Sequence, residues 1–237
     1  MTYLLALILN IDTATELASV CLCYNTEILS IRFSSEQKNH AAFIQPAIQQ
    51  IMQELNQSLE NIDAIAVTGG PGSYTGLRVG LATAKGIAYA LNKPLIIENT
   101  LKVMAQAAID ECTALGQLHA VKPWLIAPMI DARRMEVFTA VFTPVLQTIM
   151  EPTAEVLSEN SFNNLLKDNY ILFFGSGSLK WEEMVQNSSA FFSAINYNAG
   201  HLGILAYESF QNNRFENIAY STPFYLKEFY NPKKNVK

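Results

Sequence analysis

The sequence predicts a duplicated α/β fold: two lobes, each a mixed sheet flanked by helices. Three observations predict it. First, an apolar run from Ile62 to Val67 passes through Thr68-Gly69-Gly70-Pro71-Gly72-Ser73-Tyr74-Thr75-Gly76 into an unbroken helical run, Leu77 to Leu91. Strand, glycine-rich turn and helix in succession are a unit of α/β architecture. Second, the two halves echo each other. Leu9-Asn10-Ile11-Asp12, a turn and Leu17 to Tyr24 are matched by Leu125 to Ile130, Asp131, a turn and Met135 to Phe142. An internal repeat of this kind bears on the whole fold. Third, the opening strands of each half are joined too tightly to be parallel, so each sheet must be mixed.

The elements follow in order. Leu4 to Ile11 is apolar without alternation, which suits a central strand covered on both faces. Asp12-Thr13-Ala14-Thr15 is a turn, Leu17 to Tyr24 a second strand, Asn25-Thr26 a tight turn, and Ile28 to Phe33 a third strand. Ile44, Ile48, Ile51 and Leu55 stand at helical spacing. Pro46 lacks an N–H, so this helix either starts near Gln45 or kinks there. After the glycine loop and its helix comes a strand at Leu95 to Ile97. Leu101 to Lys122 links the halves and holds a helix. Pro144 ends the strand from Met135, and Val145 to Met150 continues as another. Ile171 to Phe174 runs into Gly175-Ser176-Gly177, a weaker copy of the first glycine loop, before a helix at His201 to Phe210. Thr222 to Phe229 is a last extended piece.

At 100° per residue, Leu77, Leu81, Ala84, Ala88 and Leu91 form the core stripe of the helix after the glycine loop. Arg78, Lys85 and Asn92 form a narrow polar wedge. Val79, Ala82, Gly86 and Ala90 lie nearly opposite the core stripe, where a solvated face would carry Lys, Glu or Gln. Such a helix is either packed against a partner or enclosed within its own domain.

Composition narrows the function. The chain has 237 residues, enough for a sizeable core, and half of them are hydrophobic. A net charge of −5 argues against unaided binding to nucleic acid. Only 16% of residues are charged, which favours burial in an assembly. Cys21, Cys23 and Cys112 lack CxxC spacing and read as reduced core cysteines of a cytoplasmic protein. Met1 to Ile11 is too short for a membrane span and lacks the basic start of a signal peptide.

Several residues are candidates for chemistry. The glycine loop opens a helix, which suits an anion. However, it has neither a Walker lysine nor GxGxxG spacing, and a tight turn explains its glycines equally. Asp12 and Asp131 close matching strands. They either face a cleft, to hold a metal or act as a nucleophile, or bind turn N–H groups. Ser73 is not the central serine of G-x-S-x-G. His40, His119 and His201 have no i, i+4 partner, and His40 is expected at the surface or an interface. Arg133 and Arg134 can pair with Asp131, bind an anion or be solvated. Phe224, Tyr225, Phe229 and Tyr230 interleave with Lys227, Lys233, Lys234 and Lys237. That mixture can touch RNA or pack the tail down, and the acidic balance of the chain favours packing.

Four stretches together resemble the TsaB (YeaZ) family: Ile11-Asp12-Thr13-Ala14-Thr15-Glu16, Gly70 to Gly80, Ile130-Asp131-Ala132-Arg133 with Glu136-Val137-Phe138, and Pro223-Phe224-Tyr225-Leu226-Lys227. They fall in order over nearly the whole chain. The resemblance implies an actin-like ATPase and sugar-kinase fold, with residues 1–100 and 198–237 in the first lobe and 101–197 in the second. It implies a non-catalytic, cofactor-free subunit for synthesis of threonylcarbamoyladenosine at position 37 of tRNA. That subunit pairs with the transferase TsaD and supports the ATPase TsaE, meeting tRNA through the complex and forming a homodimer when alone. Its pairing surface falls on two first-lobe helices, here at His40, Phe43, Ile44, Thr75, Val79, Ala82, Thr83, Gly86 and Ala90. The paired histidines of the transferase, HxxxH, are reduced to His40 with Ile44 four residues on. The turn after Asp12 lacks the phosphate-loop glycine of active relatives. Met135 stands where many relatives carry a small residue, and Pro46 matches a proline common in the family. The competing class is an enzyme of the same fold, a glycoprotease-like metallopeptidase or an ATP-using enzyme.

Overall fold

The computed structural model describes residues 4–36, 39–114 and 122–227. His119 and the tail residues Phe229, Tyr230, Lys233, Lys234 and Lys237 lie outside them. The first sheet has the order β3-β2-β1-β4-β5. Its strands are β1 (Leu7–Asp12), β2 (Ala18–Tyr24), β3 (Glu27–Ser34), β4 (Ala64–Gly70) and β5 (Leu95–Asn99). β1 is antiparallel to β2 and parallel to β4. The β2–β3 hairpin turns at Asn25, whose positive φ of 55° suits a two-residue hairpin turn.

The second sheet repeats this plan with β6 (Trp124–Asp131), β7 (Glu136–Phe142), β8 (Thr148–Val156), β9 (Tyr170–Phe174) and β10 (Ala190–Ser193). Read from its other edge, its order is β8-β7-β6-β9-β10, and β6 is antiparallel to β7 and parallel to β9. β6 through β10 therefore correspond one by one to β1 through β5. The chain is thus one α/β plan used twice.

Helices fill three layers around the sheets. α1 (His40–Glu54) and α2 (Tyr74–Leu91) cover the outer face of the first sheet. Ile44, Ile48 and Ile51 of α1 and Leu81, Ala84 and Ala88 of α2 bury Leu9, Ile11, Val20, Ile65 and Val67. α3 (Thr100–Ala114) and α6 (Ala199–Gln211) lie between the sheets. There Leu101, Met104, Leu202 and Leu205 meet Ile8 and Ile96 from one sheet and Ile126, Ile130 and Phe174 from the other. Ile8 and Leu9 thus point to opposite faces, and both faces are covered. That explains the unbroken apolar run. Among the described residues, the outer face of the second sheet has only two short helices, α4 (Asn163–Leu166) and α5 (Leu179–Glu182). Trp181 is fully buried there, 4.6 Å from the Phe173 ring, and its Nε1–H donates to Ser158 O at 3.0 Å.

The structure differs from expectation at several points. β1 starts at Leu7, because pairing with β2 ends at Tyr24, and Leu4 and Leu5 are exposed. α1 begins at His40 and keeps Pro46 inside it. Pro46 is exposed, as are Ala42 and Gln49, so solvent can take over the lost hydrogen bond. β8 runs through Pro152 to Val156 instead of ending at Met150. It is an edge strand, and its register with β7 shifts between Thr139 and Val141, opposite the proline. The described part of the last extended piece, through Lys227, forms no strand.

Candidate partner interface

α2 begins where Ser73 caps it, Oγ accepting from Gly76 N at 3.3 Å, and ends at Asn92 in the left-handed conformation. Thr75, Ala82, Gly86 and Ala90 are exposed on one side of it, and Val79 and Thr83 are half-buried beside them. Nothing lies within 4 Å of the place a Gly86 side chain would start. Ala82, Thr83, Gly86, Ile87, Ala90 and Leu91 join Gln45 of α1 and Leu59 in lining a shallow groove of about 470 Å³. Gln45 and Leu59 also line a neighbouring groove of about 680 Å³ along α1, with Pro46, Gln49 and Met52.

Two of the nine expected interface residues turn inward. Ile44 is in the core between α1 and the sheet. His40, expected at the surface, is buried with Nε2 3.2 Å from Glu16 O, because α1 starts early enough to tuck it under the β1–β2 turn. Phe43 is half-buried. The helical spacing of Ile44, Ile48 and Ile51 already marked Ile44 as core. Gln45 and Leu59 were missed because their place in the groove depends on the approach of three separate segments.

The polar wedge of α2 is covered by the segment that follows α6. Lys85 Nζ donates to Ser221 O at 2.9 Å and to Ala219 O at 3.4 Å. Arg78 Nε donates to Tyr225 OH at 2.9 Å, and its guanidinium lies 4.0 Å from the Tyr74 ring centroid. Glu216 N bonds Leu95 O at 2.8 Å and Phe224 N bonds Gly69 O at 2.7 Å. Lys227 then reaches Glu136 in β7 of the second lobe. Among the described residues, the small-residue side of α2 and Tyr89, 80% exposed, stay bare beside this strap.

The glycine loop is filled by the chain itself. Ser73 N donates to Ala14 O at 2.7 Å, Leu77 N to Ser73 O at 2.8 Å and Gly70 N to Thr100 Oγ1 at 3.2 Å. A methyl on Gly72 or Gly76 would overlap the carbonyl oxygen of Ala14 or Thr13. These glycines serve close packing of the β1–β2 turn on the helix start, and their neighbouring amides are used internally.

The matching aspartates both cap turns. Asp12 Oδ1 accepts from Ala14 N at 3.1 Å, and Asp131 Oδ1 accepts from Arg133 N at 2.6 Å. Their surroundings differ. Asp12 is fully buried, Oδ1 also accepts from Thr68 Oγ1 at 2.6 Å, and among the described residues Oδ2 has no partner at hydrogen-bond geometry, with the Tyr197 hydroxyl nearby. Burial raises its pKa to about 6, against the opposing pull of Thr68, Ala14 N and the nearby Tyr197 hydroxyl. Tyr197 OH itself pairs with Thr15 Oγ1 at 3.1 Å, and burial together with Asp12 holds it above the ordinary phenol range. Asp131 is exposed and paired with Lys180 at 2.5 Å. Partial burial pushes its pKa up, but Lys180 and Arg133 N–H outweigh that and hold it below the usual carboxylate range. The Arg133 guanidinium adds its charge to the same lowering without hydrogen-bonding the carboxylate. Among the described residues, no group of three His, Cys, Asp or Glu could hold a metal ion, and no helix is long and apolar enough to cross a membrane.

Comparison with known proteins places these features. The family model described as "TsaD: tRNA N6-adenosine threonylcarbamoyltransferase" matches residues 27–236. Two curated relatives are named "tRNA threonylcarbamoyladenosine biosynthesis protein TsaB". The one from Haemophilus influenzae is 38% identical over 131 residues, 55% of this chain and 51% of the relative. The one from Escherichia coli K12 is 39% identical over 133 residues, 56% and 53%. The match thus spans about half the length of these relatives. A solved structure titled "YeaZ from Pseudomonas aeruginosa" superposes with a TM-score of 0.74 at 25% identity, over 93% of this chain and 100% of that one. Another, titled an uncharacterized protein with similarity to peptidase YEAZ from the same organism, gives 0.78 at 26% identity, over 94% and 100%.

Proposed function

We propose that this chain, which belongs to the family whose model is described as TsaD: tRNA N6-adenosine threonylcarbamoyltransferase and is similar to TsaB (YeaZ) proteins, works in the biosynthesis of threonylcarbamoyladenosine in tRNA as a non-catalytic subunit. It pairs with TsaD through the groove between α1 and α2 and supports TsaE in the same assembly. The observation that carries this reading is the bare side of α2, with Ala82, Gly86 and Ala90 exposed beside an open groove. Small side chains let a second helix backbone come close, and a solvated helix face would be charged instead. The non-catalytic part is supported by the amides of Gly70, Ser73 and Gly76 in the glycine loop, which bind the chain's own carbonyl and hydroxyl oxygens.

The test is light scattering after size exclusion, on the chain alone and mixed with TsaD from the same organism, repeated with Ala82→Arg. A heterodimer that the substitution abolishes is expected, because the added charge would be buried without a partner. A heterodimer indifferent to Ala82→Arg, or none at all, would overturn the pairing surface. ATP turnover by the isolated chain would overturn the non-catalytic part.

A further inference from the structure

We propose that the strap, Arg214 to Lys227, forms a contact surface for single-stranded RNA together with the β6–β7 turn that it reaches. This deepens the reading above by naming the side of the subunit that RNA touches. Composition first sets this stretch apart. From residue 214 onward the chain carries five basic residues, Arg214, Lys227, Lys233, Lys234 and Lys237, against Glu216 and Glu228. That is a net charge of +3 in a chain of −5, so the remainder carries −8. Six of these 24 residues are aromatic, against 11% overall. Positive charge and flat rings have been concentrated where the rest of the molecule is acidic.

Among the described residues of this stretch the rings are turned outward, while Arg214 pairs with Glu208 and Lys227 with Glu136. A tail held down by its aromatic residues would bury them. Instead Tyr220 is 83% exposed, Phe224 46% and Tyr225 38%. Beneath the strap, Arg78 and Lys85 are anchored only by a hydroxyl, an aromatic ring and carbonyl oxygens, and neither takes a carboxylate among the described residues. At its far end, Lys227 pairs with Glu136, whose N–H bonds Arg133 O at 3.2 Å. Arg133 and Arg134 are exposed there, in a turn where both have positive φ, 73° and 51°. The Asp131 carboxylate is occupied by Lys180 and by the backbone of Arg133. Lys85, Arg78, Lys227, Arg133 and Lys180 thus stand in one contact chain with Asp131 and Glu136, Arg134 is exposed beside them, and the strap adds Glu216 and Arg214, the latter paired with Glu208.

Unpaired bases stack on exposed rings and on guanidinium planes, whereas bases within a duplex cannot be reached this way. Arginines whose guanidinium donors are not hydrogen-bonded to a carboxylate are suited to phosphate, although the Arg133 charge also acts on Asp131. The strip offers both along one line.

The experiment is fluorescence anisotropy with a labelled anticodon stem-loop RNA, using the full chain alone and in an equimolar mixture with TsaD. Tyr220→Ala and Phe224→Ala are each expected to weaken binding about tenfold. Arg133→Gln with Arg134→Gln is expected to weaken binding and to reduce the slope of log affinity on log salt by about one to two. Tyr220 is open to solvent, so an unchanged melting curve for Tyr220→Ala separates lost contact from lost fold. The proposal is overturned if neither the chain nor the mixture binds the RNA, or if all these variants bind as the parent does. It is also overturned if they lose TsaD but keep RNA, which would make the strip a protein interface. Failure of pairing alone, read from light scattering, would sink the pairing surface and leave the RNA result on the isolated chain standing.

Discussion

Asp12 carries a carboxyl that water cannot reach, with one oxygen held by Thr68 and Ala14 N and the other without a partner at hydrogen-bond geometry among the described residues. Its pKa stands at about 6, above the ordinary 3.8. Between about pH 4 and 6 the folded chain therefore binds more protons than the unfolded chain, and stability falls as pH rises through that window. Above it the loss is complete, about 3 kcal/mol for a shift of this size. Asp12→Asn keeps an oxygen for Thr68 and Ala14 N and removes the charge. Urea denaturation at pH 8 should show it up to about 3 kcal/mol more stable than the parent, with the difference vanishing near pH 4. No gain at pH 8 would refute a destabilising charge at Asp12. The sequence allowed the turn-capping role of both Asp12 and Asp131, because it is local chemistry two residues long. It could not separate their burial. Tyr197 arrives over Asp12 from the far end of the chain, whereas Lys180 meets Asp131 in the open.

At the scale of elements, α2 tests whether a glycine is present for packing or for access. Gly76 faces the Thr13 carbonyl with no room for a methyl, whereas Gly86 faces nothing within 4 Å. Gly76→Ala is expected to cost about 1–3 kcal/mol by overpacking. Gly86→Ala should gain up to about 1 kcal/mol from helix propensity. Melting temperatures that move in opposite directions would bear this out, and equal shifts would contradict it. Periodicity made the faces of α2 legible, because a core stripe and a bare stripe on one helix need only the 3.6-residue repeat. It said nothing of what covers the wedge between them. That cover is the strap, more than 120 residues away and without regular structure. Pro46 and Pro152 each remove a local hydrogen bond, and an exposed helix side and an edge strand tolerate the loss.

For the whole molecule, the duplication was legible because both halves open with the same strand, Ile-Asp turn and strand. The fifth strand of the second sheet was not. β10 is four residues long, alternates only weakly and gains its place from β9 alongside it. The lobes are also unequal in cover. β1 and β4 have paired neighbours on both sides and helices on both faces, whereas β8 and β10 are edges of a sheet with two four-residue helices on its outer side. Native-state hydrogen exchange should therefore be slowest in β1 and β4 and measurably faster in β8 and β10. Comparable protection of β10 and β4 would refute this. The position of α6 also has a consequence during synthesis. The first sheet is encoded by residues 7–99, but α6, which shares with α3 the covering of its inner face, is encoded by residues 199–211. At about 5–20 residues per second, those hundred intervening residues leave Ile8 and Ile96 incompletely covered for roughly 5 to 20 s. A chaperone at the ribosome exit would meet that apolar surface on every nascent copy, before any partner subunit could.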